Sequence, residues 1–105
     1  MNFELFRELY SEALEYDNVD MYTSERGWQD WMNKVENPAE KLHDIYTLAK
    51  STVRETRNKS GMSQKNFSKQ FLIPLRTWAD WEYENRTPPT YVKMLIDYAV
   101  FNYEN

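Results

Sequence analysis

The sequence predicts an all-α fold of about six helices, and three observations carry that reading. Apolar residues recur at three- and four-residue steps through nearly the whole chain. Side chains that cap helices stand at the breaks between these periodic stretches. Two glycines in 105 residues are too few for a hairpin-built sheet or a glycine-rich phosphate loop.

The elements follow in order. Phe3, Phe6, Leu9, Tyr10, Ala13 and Leu14 form the apolar face of a first helix ending near Tyr16. The polar run Asp17-Asn18-Val19-Asp20 breaks it, and Ser24 is placed to cap a second helix with Trp28, Trp31, Met32 and Val35 on one face. Asn37-Pro38-Ala39-Glu40 combines a capping side chain, proline at the first helical position and Glu three residues past the cap. It opens a third helix carrying Leu42, Ile45, Ala49 and Val53 to about Lys59, closed by a left-handed Gly61. Ser63 caps a short fourth helix that buries Phe67 and Phe71. Pro74 starts a fifth with Trp78 and Trp81 inward. Pro88-Pro89 ends the fifth and starts the last, where Tyr91, Met94, Leu95, Tyr98 and Phe101 are expected to face the core. Trp28-Gln29-Asp30-Trp31 resembles Trp78-Ala79-Asp80-Trp81, but paired tryptophans three apart are ordinary helix core and imply no duplication.

Charge is divided unevenly along the chain. The formal net charge is −4. Residues 1–50 carry five Lys/Arg against eleven Asp/Glu, and residues 51–105 carry eight against six. Within 51–76, Arg54, Arg57, Lys59, Lys65, Lys69 and Arg76 face only Glu55. An acidic total therefore does not exclude a polyanionic partner.

Several kinds of chemistry are excluded or disfavoured. Without cysteine there is no disulfide, thiolate metal site or thiol nucleophile. The single histidine, His43, has Asp44 and Glu40 nearby but no second imidazole to complete a metal set. The acidic residues of the first half show no spacing that isolates a catalytic pair. No enzyme, cofactor or metal is expected. No apolar run approaches the ~20 residues of a membrane span, and MNFELFRELY lacks the basic-then-apolar order of a signal peptide. A cytoplasmic protein is the expectation.

The informative stretch is Gly61-Met62-Ser63-Gln64, Phe67-Ser68, then Ile73-Pro74-Leu75-Arg76-Thr77 leading to Trp81-Glu82 and Pro89. Two short helices joined by a three- or four-residue turn have the lengths of a helix-turn-helix, with Ser68 as the small residue where they approach. From about Leu42 to Val100 the chain resembles the lambda-repressor-like helix-turn-helix family, also called the XRE family. The resemblance implies a DNA-binding domain over residues 37–105, with residues 1–36 as a helical extension. It implies that Gln64 hydrogen-bonds a DNA phosphate and that Leu75, Arg76, Ala79 and Asp80 face base edges in the major groove. Thr77 matches a backbone-contacting position, and Asn85 and Arg86 match the loop that grips phosphate. Lys65 and Tyr83 complete the expected DNA-facing set. Chemically, Arg76 can bond a guanine edge with two hydrogen bonds, and Asp80 can accept from a cytosine amino group. Ion pairing between Arg76 and Asp80 is the alternative use of the two side chains.

Two positions depart from the family pattern. Leu72 stands where glycine or asparagine is usual in the turn, so a reshaped turn is expected. Glu84 stands at a second glycine position, with Asn85 as the expected left-handed residue in its place. The function implied is a transcriptional regulator, a repressor binding an inverted repeat of double-stranded DNA as a homodimer. The alternative is an antitoxin that neutralises a protein toxin through its N-terminal half, whose aromatic residues suit either core packing or a partner interface.

Overall fold

In the computed structural model, which describes residues 1–104, the chain is all-α. It divides between Lys50 and Ser51 into two compact units.

The first unit is built on α1 (Phe3–Ala13), α2 (Val19–Ser24) and α3 (Pro38–Lys50). Asn2 Oδ1 accepts from the Leu5 N–H at 2.9 Å and Asn18 Oδ1 from the Met21 N–H at 2.8 Å, so two asparagines start α1 and α2. The core is Phe6, Leu9, Tyr10 and Ala13 of α1, Tyr22 of α2, and Leu42, Ile45 and Leu48 of α3. α3 packs on both earlier helices. The buried Tyr22 hydroxyl donates to the Leu9 carbonyl at 2.7 Å, which ties α2 to α1. The Arg26 guanidinium lies 4.6 Å from the Tyr22 ring centre and 3.2 Å from Glu12, covering the phenol's open face.

Two helix expectations are corrected in this region. The second helix lies earlier than its aromatic spacing suggests, at Val19–Ser24, and Ser24 ends it rather than capping the next. Gly27 adopts φ +64° and Gln29 is extended, so the segment of Trp28 and Trp31 forms only a single 3-10 turn, Asp30–Asn33. Met32 is buried there, whereas Trp28 is 70% exposed. The third helix stops at Lys50 instead of continuing to Lys59. Thr52 is extended, its hydroxyl accepts from the Glu55 N–H at 3.2 Å, and Glu55 accepts the Thr52 N–H at 2.9 Å. This reciprocal cap starts a separate helix.

The second unit comprises α4 (Val53–Ser60), α5 (Gln64–Gln70), α6 (Leu75–Glu82) and α7 (Thr90–Glu104). Gly61 ends α4 with φ +76°, and Ser63 Oγ accepts from the Asn66 N–H at 3.1 Å to start α5, both as the sequence predicts. Trp78 is fully buried, 4.7 Å from the Phe67 ring and 5.8 Å from Trp81. Ile96, Val100 and Phe101 complete the core from α7. The inward face of α7 is thus rotated from the expected one: Tyr91 and Leu95 are exposed, while Asp97 is fully buried. Asp97 is tolerated inside because Thr56 Oγ1 donates to it at 2.8 Å and the Lys93 ammonium contacts it one turn away. That network, extended by Ser51 to Thr56 at 2.8 Å, fastens α7 to α4.

Candidate nucleic-acid interface

The candidate interface is built on α5 and α6, which pack on each other through the buried Phe67, Ser68 and Trp78. The helices are joined by Phe71-Leu72-Ile73-Pro74. The Ile73 N–H donates to the Ser68 carbonyl at 2.8 Å and the Leu72 N–H to the Lys69 carbonyl at 3.2 Å. This is the double closure of a Schellman motif, which requires a left-handed residue at its centre. Leu72 supplies it, with φ +55°. The expectation of a reshaped turn is therefore corrected: the turn closes in the usual way and leucine bears the strain. α6 ends alike, with the Asn85 N–H donating to the Asp80 carbonyl at 2.9 Å and the Glu84 N–H to the Trp81 carbonyl at 3.3 Å. Here Glu84 itself is left-handed, with φ +62°, and Asn85 is not. Backbone closure, which counts residues from the helix end, outweighs the local preference of asparagine.

Beneath the pair lies a charged cluster. The Glu82 carboxylate is fully buried and takes hydrogen bonds from Arg57 Nε at 2.6 Å, Arg57 Nη2 at 3.0 Å and Arg54 Nε at 3.3 Å. The Trp78 indole N–H and the Gln64 amide also donate to it. Burial by itself pushes the carboxyl group up, but the donors from Arg57, Gln64 and Trp78 outweigh that and hold it at about 2. Hydrogen bonding to Glu82 likewise raises Arg57, against the smaller opposing effect of its own burial. The remaining Arg57 nitrogen donates to the Met62 carbonyl at 2.9 Å. One ion pair thus fixes α4, the loop entering α5, the first residue of α5 and the last turn of α6 together.

Of the sequence-assigned residues, Gln64 opens α5, half-buried and engaged with Glu82, and Lys65 beside it is exposed. Leu75 and Arg76 open α6 and are exposed; Thr77, Ala79 and Asp80 are half-buried along the same helix. Among the described residues Arg76 and Asp80 make no ion pair with each other. Tyr83 is 61% exposed, with the Arg54 guanidinium 5.6 Å from its ring centre. Asn85 and Arg86 are exposed in the loop after α6. Arg54, Arg57 and Glu82 form a unit that the motif spacing does not indicate. Arg54 and Arg57 stand three apart on one helix face, and Trp78 and Glu82 stand four apart on another, which is the spacing that marks them.

Among the described residues no group of histidine, aspartate or glutamate could hold a metal ion. No helix is long and apolar enough to cross a membrane. In comparisons with protein-family models, curated proteins and solved structures, the chain matches none.

Proposed function

We propose that this chain is a sequence-specific DNA-binding regulator of transcription, a cytoplasmic repressor of the lambda-repressor-like type that acts as a homodimer on an inverted repeat. The observation that carries the reading is Arg76, exposed in the first turn of α6 with no carboxylate drawn onto it, on a short helix braced from behind by a buried ion pair. A guanidinium held so is suited to the paired acceptors of guanine in the major groove. Lys65, Lys69 and Arg86 are exposed on the same unit and would meet phosphates. The Gln64 amide donates one N–H to Glu82 and keeps a second for a phosphate oxygen. One short helix reads few base pairs, so two copies would engage half-sites about one helical turn, ~34 Å, apart.

Gel-shift titration and footprinting on DNA upstream of the protein's own gene test the reading. Arg76→Ala should weaken binding to the preferred site by about 5- to 150-fold, the value of one guanine contact, and relax preference at one base pair. Lys65→Ala should weaken all sequences alike and flatten the salt dependence. Specific binding unchanged by Arg76→Ala refutes the assignment of base reading to α6.

A second reading, an antitoxin that holds a protein toxin through residues 1–50, draws on one feature of the first unit. A shallow groove of about 490 Å³ is lined by Leu5, Leu9 and Trp31 together with Glu8, Glu12 and Asp30. Apolar side chains beside the exposed Glu8 and Asp30 suit a basic protein surface. Co-purification with the product of a neighbouring gene, lost on Trp31→Ala, would favour it.

A further inference from the structure

Leu72 is the residue of the second unit that local stability explains least. It is 91% exposed, the most exposed large apolar residue among those described, and its backbone is left-handed at φ +55°. Glycine or asparagine would close the same Schellman motif with less strain, and neither would place an isobutyl group in water. Non-glycine residues held in this region cost fold stability, and they cluster at functional sites.

The surroundings indicate what is served. Leu72 lies three residues before Leu75, the first residue of α6, which is itself 47% exposed. Lys69, whose carbonyl accepts the Leu72 N–H at 3.2 Å, and Arg76, the chain neighbour of Leu75, are both exposed. Two exposed leucines thus stand beside cationic residues, and their complement is a polyanion that also displays apolar groups. Duplex DNA meets both requirements, because the thymine methyl is the apolar group of the major groove and phosphates line its edges.

We propose that Leu72 is a specificity-determining residue that packs on a thymine methyl group, acting with Leu75 next to the base pair read by Arg76. The proposal rests on the DNA-binding reading above. It makes the left-handed leucine a trade of fold stability for sequence preference.

The test uses the full chain and a site selected from random-sequence duplex DNA. Leu72→Gly should raise the melting temperature, by roughly 4–8 °C for a small domain relieved of left-handed strain. It should also weaken the selected site by at least about fourfold, the value of one methyl group taken out of water. Replacing single thymines of the site by uracil should reproduce that loss at one position for the wild-type chain, and should cost the Leu72→Gly chain nothing further there. If the wild-type chain selects no sequence and shows no salt-dependent DNA affinity, the DNA reading itself falls. If it selects a site but Leu72→Gly and every uracil replacement leave the affinity unchanged, the assignment of Leu72 falls while the DNA reading stands. Loss of self-association in the ultracentrifuge without loss of DNA affinity would make Leu72 a protein contact and overturn the proposal.

Discussion

Replacing Glu82 by glutamine keeps the shape of the side chain and removes its charge. The carboxylate that is lost takes two hydrogen bonds from Arg57 and others from Arg54, Trp78 and Gln64. The Arg57 side chain is only 16% exposed, so its guanidinium would be left largely buried without a counter-charge. Breaking a buried pair from one side costs about 3–5 kcal/mol. The depressed carboxyl leads to a similar figure: a fall from the ordinary 4.5 to about 2 on folding corresponds to roughly 3 kcal/mol. A depressed carboxyl contributes its stability above the unfolded value and loses it as pH falls through the folded one. The wild-type chain should therefore lose this contribution between about pH 4.5 and 2, and Glu82→Gln should be destabilised at neutral pH with that part of the acid limb missing. Urea denaturation followed through the Trp78 indole N–H resonance reads the second unit directly, since that proton is bonded to Glu82. A loss below about 1 kcal/mol at pH 7, or an acid limb identical to wild type, would refute the account of the cluster.

Two further outcomes concern the hydrogen-bonded interiors. Burial raises the Tyr22 phenol above its ordinary value, against the smaller opposing effect of Arg26, so the protonated form is favoured by folding. Its contribution is complete below about pH 10 and is lost as pH rises beyond that; Tyr22→Phe should remove that alkaline dependence and cost about 1 kcal/mol, measured by denaturation at pH 7 and pH 11. Thr56→Val keeps the shape but takes away the donor to the buried Asp97, and should cost about 1.5–3 kcal/mol in the same assay.

Much of the helical frame was legible in the sequence, and the reasons for the failures are physical. Ser63, Gly61 and the Phe67–Trp78 core were readable because capping chemistry and helical spacing agree at those positions. The division of the third helix was written in Thr52-Val53-Arg54-Glu55, but Val53 continues the apolar rhythm of Ala49 and masks the cap. Trp28 and Trp31 imitate a helix face, yet a left-handed Gly27 precedes them and an extended Gln29 lies between them. The rotated face of α7 was hidden because Asp97 looks like a surface residue until Thr56 and Lys93 are seen around it. Leu75, Arg76 and Tyr83 were legible as outward positions of α6 from helix period. The ion pair beneath them joins residues 25 positions apart in the chain, which no local pattern reports.

The cap at Thr52 also bears on the order in which the molecule is assembled on the ribosome. The core of the first unit, from Phe6 to Leu48, is complete before Thr52 is translated. The next helix begins with its own reciprocal cap rather than as a continuation of α3. Every residue of that core lies within residues 1–50, so on the ribosome N-terminal folding can begin before the rest is made.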